Sequence, residues 1–229
     1  MRNSDFENWV LSSKRPSLIS TARSMMGVVP QMHQTPSIIE EHEMRATQMD
    51  VFSRLMADRI IYFASEVTDE TCSVVNAQLL YLTSVDPDSK ITIYIDSPGG
   101  SCSSGLGLIE TIGFIQPKVE TINMGLAASM GSLLLMAGSK GMRRSLPGSR
   151  VLIHQPSVSG VKGTADQIKI EADEIMKCKK ELFSFISART GQPYEKIVAD
   201  AKDDFWLTAQ EALDYGCIDE IIKIDWTKK

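Results

Sequence analysis

The chain has 229 residues, of which 43% are hydrophobic and 23% charged, and its formal net charge is −5. This length suits one sizeable α/β domain, and an acidic balance without a lysine- or arginine-rich run argues against a nucleic-acid-binding surface. No apolar run reaches the roughly 18 residues of a membrane span, and the N-terminus lacks the basic and apolar pattern of a signal peptide. The four cysteines form no CxxC pair, so we predict a cytoplasmic protein with free thiols and without a metal site.

The first 36 residues or so differ from the rest because they sustain no hydrophobic period. They combine prolines, serines and a methionine–glycine step, a pattern typical of an extension that is flexible or removed. The first helix is predicted to begin near Asp50 and to carry Val51, Phe52, Leu55 and Met56.

Strands and helices alternate along the rest of the chain. Apolar or alternating runs predict strands at 60–63, 91–95, 119–124, 151–153 and 218–224. Helical spacing predicts helices at 69–83, 103–116, 129–137, 164–189, from residue 193, and at 208–216. The helices that start at Thr164 and Thr208 carry capping-box sequences. Strand, helix and strand recurring at intervals of roughly thirty residues indicate a parallel sheet with crossover helices.

The longest predicted helix has apolar residues on more than one side. One stripe consists of Ile168, Ala172, Ile175, Leu182 and Ile186, while Phe183 and Phe185 lie on different sides. Because a helix that is apolar all round needs to be covered, a neighbouring subunit is expected to pack against it.

A serine lies where the strand that begins at residue 119 turns into the next helix. Ser129 is flanked by Ala127, Ala128 and Gly131, which leave room for a substrate beside its hydroxyl. The segment loosely resembles a nucleophile elbow, with Ala127 at the first glycine position of GxSxG. The alternative is a plain helix N-cap serine, and this segment alone does not decide between the two.

A serine needs a base within reach before it can attack a carbonyl. The candidate base is His154, which ends the apolar strand 151–153, because an unperturbed imidazole titrates near neutrality. A structural histidine at a strand end is the alternative. A carboxylate that orients the imidazole could be Asp200, Asp203 or Asp204, and spacing does not choose among them.

A fourth segment, Ser97-Pro98-Gly99-Gly100, interrupts the chain after a predicted strand. By default it is a turn. As part of a site, its glycines would let the backbone approach an extended peptide and direct an amide at a developing oxyanion. The amide of Met130 would then be the second donor, and the four segments together predict a serine peptidase.

These segments resemble the Clp protease proteolytic subunit in order and spacing, from about residue 36 to residue 222. The matching motifs are Ser97-Pro98-Gly99-Gly100, Met124-Gly125-Leu126-Ala127-Ala128-Ser129-Met130-Gly131, Leu146-Pro147, Ser149-Arg150-Val151-Leu152-Ile153-His154-Gln155-Pro156, Thr208-Ala209-Gln210-Glu211-Ala212 and Tyr215-Gly216. The resemblance implies a crotonase-like α/β fold of repeated strand–helix units with a protruding handle helix. It implies that Ser129 is the nucleophile, His154 the general base and Asp204 the orienting acid, and that the oxyanion amides are those of Gly100 and Met130.

The resemblance also implies an assembly. The helix from Thr164 would be the handle through which two seven-membered rings stack into a barrel-shaped tetradecamer, with a strand beside it at 157–163. A separate ATP-dependent AAA+ unfoldase would deliver unfolded proteins. The chain itself would need no cofactor, because Gly138-Ser139-Lys140-Gly141 lacks the spaced glycine of a phosphate loop.

The family is often made with a propeptide, and its mature start matches near His33. The resemblance therefore divides the chain into an N-terminal extension and possible propeptide at 1–32, an axial segment at 33–52 and a catalytic domain at 53–229.

Two other functions stay open. Asp203 replaces an arginine that the family commonly carries before the catalytic aspartate and that helps to link rings, so the chain could be an inactive structural subunit beside an active one. An acyl-CoA enzyme of the same fold class would use the oxyanion amides to polarise a thioester, but it has no need for a serine–histidine pair.

Overall fold

The computed structural model describes residues 37–42, 45–158 and 160–228. The chain divides into two compact units, Met1–Val51 and Phe52–Lys229. In the first unit, strands β1 (Ser37–His42) and β2 (Arg45–Asp50) pair antiparallel as a hairpin. This hairpin was not predicted, and the predicted extension at 1–32 lies outside the described residues.

The second unit is built on one seven-stranded sheet. Its strands are β3 (Ile60–Phe63), β4 (Ile91–Ser97), β5 (Val119–Ala128), β6 (Arg143–Ser145), β7 (Arg150–Ile153), β8 (Phe205–Thr208) and β9 (Glu220–Ile221). The order is β3-β4-β5-β6-β9, and β7 pairs with both β5 and β8. All pairs are parallel except β7 with β8, so the predicted parallel sheet with crossover helices is confirmed.

The sheet forks at β5, which has ten residues. Its first half pairs with β6, from Thr121 to Asn123, and its second half with β7, from Leu126 to Ala128. Because one strand serves two partners in succession, its last residues extend past β6 and lie beside β7 and β4. The predicted strand ended at residue 124 and is therefore four residues too short.

Seven helices cover the sheet within the described residues. They are α1 (Val51–Ala57), α2 (Asp69–Val85), α3 (Cys102–Phe114), α4 (Met130–Ala137), α5 (Ala165–Thr190), α6 (Tyr194–Asp200) and α7 (Ala209–Tyr215). Both predicted capping boxes are confirmed, since the side chains of Thr164 and Thr208 accept hydrogen bonds from the backbone N–H three residues later. Apolar residues of α2 to α7 and of the central strands form one core.

Helix α5 has a buried half and an exposed half. Leu182, Phe183 and Ile186 are buried in the core, whereas every residue from 160 to 174 is exposed. The predicted stripe therefore holds only at its C-terminal end, because the first turns of α5 extend beyond the rest of the unit. This exposed half is the protruding helix that the resemblance implied.

Two predicted details are wrong, and two strands were missed. The described residues of 157–163 form no strand, and the C-terminal strand covers Glu220–Ile221 rather than 218–224. Strands β6 and β8 were not predicted. The reasons lie in local sequence, since β6 is three residues long with two arginines and β8 directly follows two aspartates.

Candidate active site

Ser129 occupies the single residue between β5 and α4, where the chain reverses direction. Its φ of 53° and ψ of −124° place a residue with a side chain in a region that normally favours glycine. Such a conformation costs of the order of 1–3 kcal/mol and persists only where the surroundings enforce it. Here the Ser129 N–H donates to the Leu152 carbonyl at 2.9 Å, and the Ser129 carbonyl accepts from the N–H and Oγ of Ser132 at 2.9 and 2.7 Å.

The hydroxyl of Ser129 is not used as a helix cap. Although the residue stands at the N-cap position of α4, its side chain makes no capping hydrogen bond. The N-cap alternative would require such a bond to the N–H of the second or third helical residue. The Ser129 hydroxyl is therefore not occupied by a capping bond to α4.

His154 lies one residue beyond β7, the strand that pairs with the second half of β5. Ala128 is the register partner of Leu152 in this parallel pair. Ser129 and His154 therefore both follow the carboxyl ends of neighbouring parallel strands, the edge at which α/β sheets usually carry their sites. The imidazole is half-buried, so a substrate could reach it.

Asp204 is the residue before β8, and His154 is the residue after β7. Strand β8 runs antiparallel to β7, and the last matched pair is Ile153 with Phe205. His154 and Asp204 are the residues next to this pair, one on each segment. Of the three candidate acids, Asp204 is the one adjacent to the last matched pair.

The other two acids have different surroundings. The Asp200 carboxylate accepts from the Tyr215 hydroxyl at 2.8 Å and also pairs with Lys196. Burial would raise the pKa of Asp200, but these hydrogen bonds outweigh it and hold the pKa below its usual range. Asp203 is exposed and has no hydrogen-bond partner among the described residues.

The three side chains proposed from the sequence do not contact one another through hydrogen bonds. Within the described residues, the Ser129 hydroxyl, the His154 ring and the Asp204 carboxylate each lack a side-chain partner. Their backbones nevertheless lie at the ends of three adjacent strands, β5, β7 and β8. Catalytic hydrogen bonds are often long in enzymes without substrate and shorten when it binds.

The glycine turn lies directly against the serine turn. Gly99 and Gly100 have φ angles of +94° and +146°, a region that few residues other than glycine adopt. The Val67 N–H donates to the Gly99 carbonyl and the Ser101 N–H to the Val67 carbonyl, each at 2.8 Å. These two bonds fix the backbone on both sides of Gly100.

Two amides in this region have no partner. Among the described residues, neither the Gly100 N–H nor the Met130 N–H donates a hydrogen bond. Met130 is the first residue of α4, where a helix leaves its N–H groups without intrahelical acceptors. Two free amides beside a serine hydroxyl could bind a negatively charged oxygen.

The sequence did not predict the contacts of two residues that shape this turn. Gly99 was predicted as a turn glycine that lets the backbone approach a substrate, but not its close approach to the backbone of Ala128 and Met130. Ser97 is fully buried, and its Oγ donates to the Ser65 carbonyl at 2.6 Å while accepting from the Gly99 N–H at 3.2 Å. The available signal was a serine two residues before a glycine pair, at the end of a strand.

The described part of the chain lacks two other features, a metal site and a membrane span. It contains no group of three histidine, cysteine, aspartate or glutamate residues that could hold a metal ion. None of its helices is long and apolar enough to cross a membrane.

Comparison with known proteins identifies the family. The sequence model of the Clp protease family matches residues 42–225. A Bacteroides fragilis protein named ATP-dependent Clp protease proteolytic subunit is 53% identical over 187 residues, which cover 82% of this chain and 90% of that protein. Proteins with the same name from Porphyromonas gingivalis and Bacteroides thetaiotaomicron are 51% and 52% identical, each over 82% of this chain and over 85% and 84% of their own lengths. The chain therefore belongs to the Clp protease family, which consists of serine-type peptidases.

Proposed function

We propose that the chain cleaves peptide bonds with Ser129 as nucleophile, His154 as general base and Asp204 as orienting acid. The observation that supports this most directly is the register of β5, β7 and β8, in which the three residues follow or precede adjacent strand ends. The strained turn at Ser129 adds to it, because strain of this kind is concentrated at functional sites.

In this proposal the Ser129 hydroxyl attacks the carbonyl carbon of the scissile bond while His154 takes its proton. The resulting oxyanion accepts hydrogen bonds from the Gly100 and Met130 amides. His154 then returns the proton to the leaving amine, and an acyl-enzyme remains on Ser129. Water, deprotonated by His154, hydrolyses the ester and restores the serine. Asp204 keeps the imidazole in the tautomer and orientation that these transfers need.

We further propose that the chain assembles into a barrel of two stacked seven-membered rings. The exposed half of α5 supports this, because it carries Ile168, Ile170 and Met176, which are 45%, 65% and 63% exposed. Apolar side chains gathered on a protruding helix are typical of a surface that another subunit covers. The handle helix would then join subunits, and the active sites would face a closed chamber.

The substrates in this proposal are unfolded proteins, delivered by an ATP-dependent AAA+ unfoldase in the cytoplasm. The names of the relatives include ATP dependence. The chain itself would use no cofactor, and ATP would be hydrolysed only by the unfoldase.

A fluorophosphonate probe tests the central step, because it labels only a serine whose hydroxyl is activated. The wild-type chain should be labelled at Ser129 and should cleave short fluorogenic peptides, and Ser129→Ala should do neither. Ser84→Ala is the matched control, since Ser84 lies on the exposed side of α2 and its Oγ only donates to the Tyr81 carbonyl. Equal turnover by Ser129→Ala would exclude the proposed nucleophile.

The same probe separates the alternatives. An inactive structural subunit would assemble but remain unlabelled, also after heating and addition of the unfoldase. An acyl-CoA enzyme would show a thermal shift with saturating acyl-CoA, and none is expected here.

A further inference from the structure

Gln155, the residue after His154, connects three parts of the second unit. Its Nε2 donates to the Lys202 carbonyl at 2.9 Å, and its Oε1 accepts from the Lys179 Nζ at 2.8 Å. Its backbone N–H donates to the Ala201 carbonyl at 3.1 Å. One residue thus links the end of β7, the turn that precedes Asp204 and helix α5.

These bonds lie on the far side of His154 and Asp204 from the strand pairing. On one side, β7 and β8 are matched up to Ile153 and Phe205. On the other side, Gln155 binds the carbonyls of residues 201 and 202. His154 and Asp204 lie between these two places. Without the Gln155 side chain, only the bond from the Gln155 N–H to the Ala201 carbonyl would tie the turn at 201–204 to the residue after His154.

Lys179 determines which way the Gln155 amide faces. An ammonium group can only donate hydrogen bonds, so the amide oxygen must face Lys179 and the NH₂ group is left for the Lys202 carbonyl. Lys179 is held in turn, because it is half-buried and its Nζ lies 5.5 Å from the ring centroid of the fully buried Phe183. The Lys202 carbonyl, which can only accept, requires the same orientation, and Lys179 adds a second constraint that α5 fixes to the core.

The contact with Lys202 does not serve to satisfy a buried group. Residues 202 to 204 are all exposed, so water could replace Gln155 at the Lys202 carbonyl and the chain would still fold. Water would not, however, hold the turn before Asp204 at a fixed distance from Gln155, the residue next to His154.

We propose that Gln155, oriented by Lys179, is a positioning residue that holds the Asp204 turn beside His154. The inference rests on the proposed function, since it assigns a role to Gln155 only if His154 and Asp204 act together. A misplacement of the order of 1 Å at a catalytic group can lower the rate about a hundredfold, so a residue without contact to substrate could still control turnover.

Four single variants and one double variant test this assignment in the full-length protein. Gln155→Met keeps the length of the side chain and removes both amide bonds. Lys179→Met removes the donor that orients the amide, and Lys179→Arg retains a donor at that place. Lys180→Met is the control for the lost charge, because Lys180 is the exposed neighbour on α5 and makes no hydrogen bond or ion pair within the described residues.

The measured quantities are kcat and KM for a short fluorogenic peptide and the rate of fluorophosphonate labelling. We expect Gln155→Met to lower kcat by about ten- to a hundredfold with little change in KM, since positioning affects the transition state more than binding. Lys179→Met should show a smaller loss of the same kind, Lys179→Arg should restore most of it, and Lys180→Met should match the wild type. The double variant Gln155→Met/Lys179→Met should be no slower than Gln155→Met alone, because the two substitutions remove the same contact between Gln155 and Lys179.

The possible failures can be distinguished. If the wild type is labelled and Ser129→Ala is not, but kcat is unchanged in both Gln155→Met and Lys179→Met, the positioning role is wrong and the proposed function stands. If the wild type is neither labelled nor active, the proposed function fails and the positioning role fails with it. If Gln155→Met loses activity but also dissociates into smaller species or melts at a lower temperature, the Lys179 variants decide instead. Equal kcat values for Lys179→Met and Lys179→Arg would then overturn the proposal.

Discussion

Gly99 lies so close to Ser129 that a Cβ atom added to Gly99 would come within 2.6 Å of the Ser129 Cβ. The same atom would lie 2.7 Å from the Ala128 carbonyl oxygen and 3.0 Å from the Met130 nitrogen. No neighbouring side chain can move aside to relieve this, because two of the three atoms belong to the backbone. The glycine turn and the serine turn are therefore packed against each other at the one place where the oxyanion amides are proposed to meet.

Gly99→Ala should consequently reduce both activity and stability. The added methyl group would separate the two turns, and the φ of +94° would become strained, which together should cost roughly 1–3 kcal/mol in the free energy of unfolding. Peptidase kcat/KM should fall by at least about tenfold, because the Gly100 and Met130 amides would no longer converge. Urea denaturation and peptide cleavage measure the two effects.

Gly107→Ala is the matched control for this substitution. Gly107 lies in the interior of α3, and a Cβ there would meet nothing within 4 Å. Alanine in a helix interior is favoured over glycine by about 0.5–1 kcal/mol, so this variant should be slightly more stable and fully active. A Gly99→Ala protein that behaved like Gly107→Ala would contradict the close packing at the site.

Replacement of the three neighbouring aspartates by asparagine should give three different results. Asp204→Asn removes the proposed orienting carboxylate and should lower kcat by about a thousandfold or more, as loss of the orienting acid does in other triads. Asp203→Asn should leave kcat near that of the wild type, because Asp203 is exposed and has no partner within the described residues. Asp200→Asn should mainly lower stability, since Asp200 binds the Tyr215 hydroxyl and Lys196.

Peptide kinetics and thermal unfolding, measured on all three variants, separate these effects. The assignment of the acid would be wrong if Asp203→Asn lost more activity than Asp204→Asn.

The sequence allowed the long elements to be predicted, because each had a regular period or an identifiable end. The helices that begin after Thr164 and Thr208 were located by their capping boxes. The strands β6 and β8 could not be located in this way. They have only three and four residues, and with charged residues in or beside them they show no hydrophobic periodicity. Their existence depends on partners distant in the chain, which propensity cannot reveal.

The site shows the same limit. Ser129 and His154 could be proposed from local sequence, since one follows a strand at a small-residue turn and the other ends an apolar strand. Asp204 could be chosen only by resemblance, because its place next to the matched pair of Ile153 and Phe205 depends on β8, a strand that was not predicted. The contacts of Gly99 and Gln155 are tertiary and leave no signal in spacing.

A buried ion pair makes stability depend on acid pH. The Asp219 carboxylate accepts from the Arg143 Nη2 at 2.6 Å and Nε at 2.9 Å, and from the backbone N–H groups of Arg143 and Gly141 at 3.0 and 2.8 Å. Burial would raise the pKa of Asp219, but these bonds outweigh it and hold the pKa below its usual range. A carboxyl group with a lowered folded-state pKa stabilises the fold above its unfolded pKa, about 3.9, and loses that contribution as the pH falls through the folded value.

Asp219→Asn should therefore lower the free energy of unfolding by about 3 kcal/mol at pH 7, because it leaves the buried Arg143 guanidinium without its counter-ion. The difference from the wild type should shrink below about pH 4, where the wild-type carboxylate also becomes protonated. Asp58→Asn serves as the control, since Asp58 is 58% exposed in its pair with Arg54 and should change stability far less at any pH. A difference between wild type and Asp219→Asn that stayed constant from pH 7 to pH 3 would show that the charge of Asp219 is not the cause.

The exposed apolar residues of α5 predict how the proposed assembly can be broken. Ile170 and Met176 are 65% and 63% exposed in the single chain, and an interface that covered them would exclude charged replacements. Ile170→Glu/Met176→Glu should shift the sedimentation of the native protein from a large particle to smaller species, while the circular dichroism spectrum of the chain stays native, because neither side chain contributes to the core. Val85→Glu is the control, since Val85 is 62% exposed at the end of α2. If both proteins sedimented like the wild type, the subunit interface would have to lie on another part of the surface.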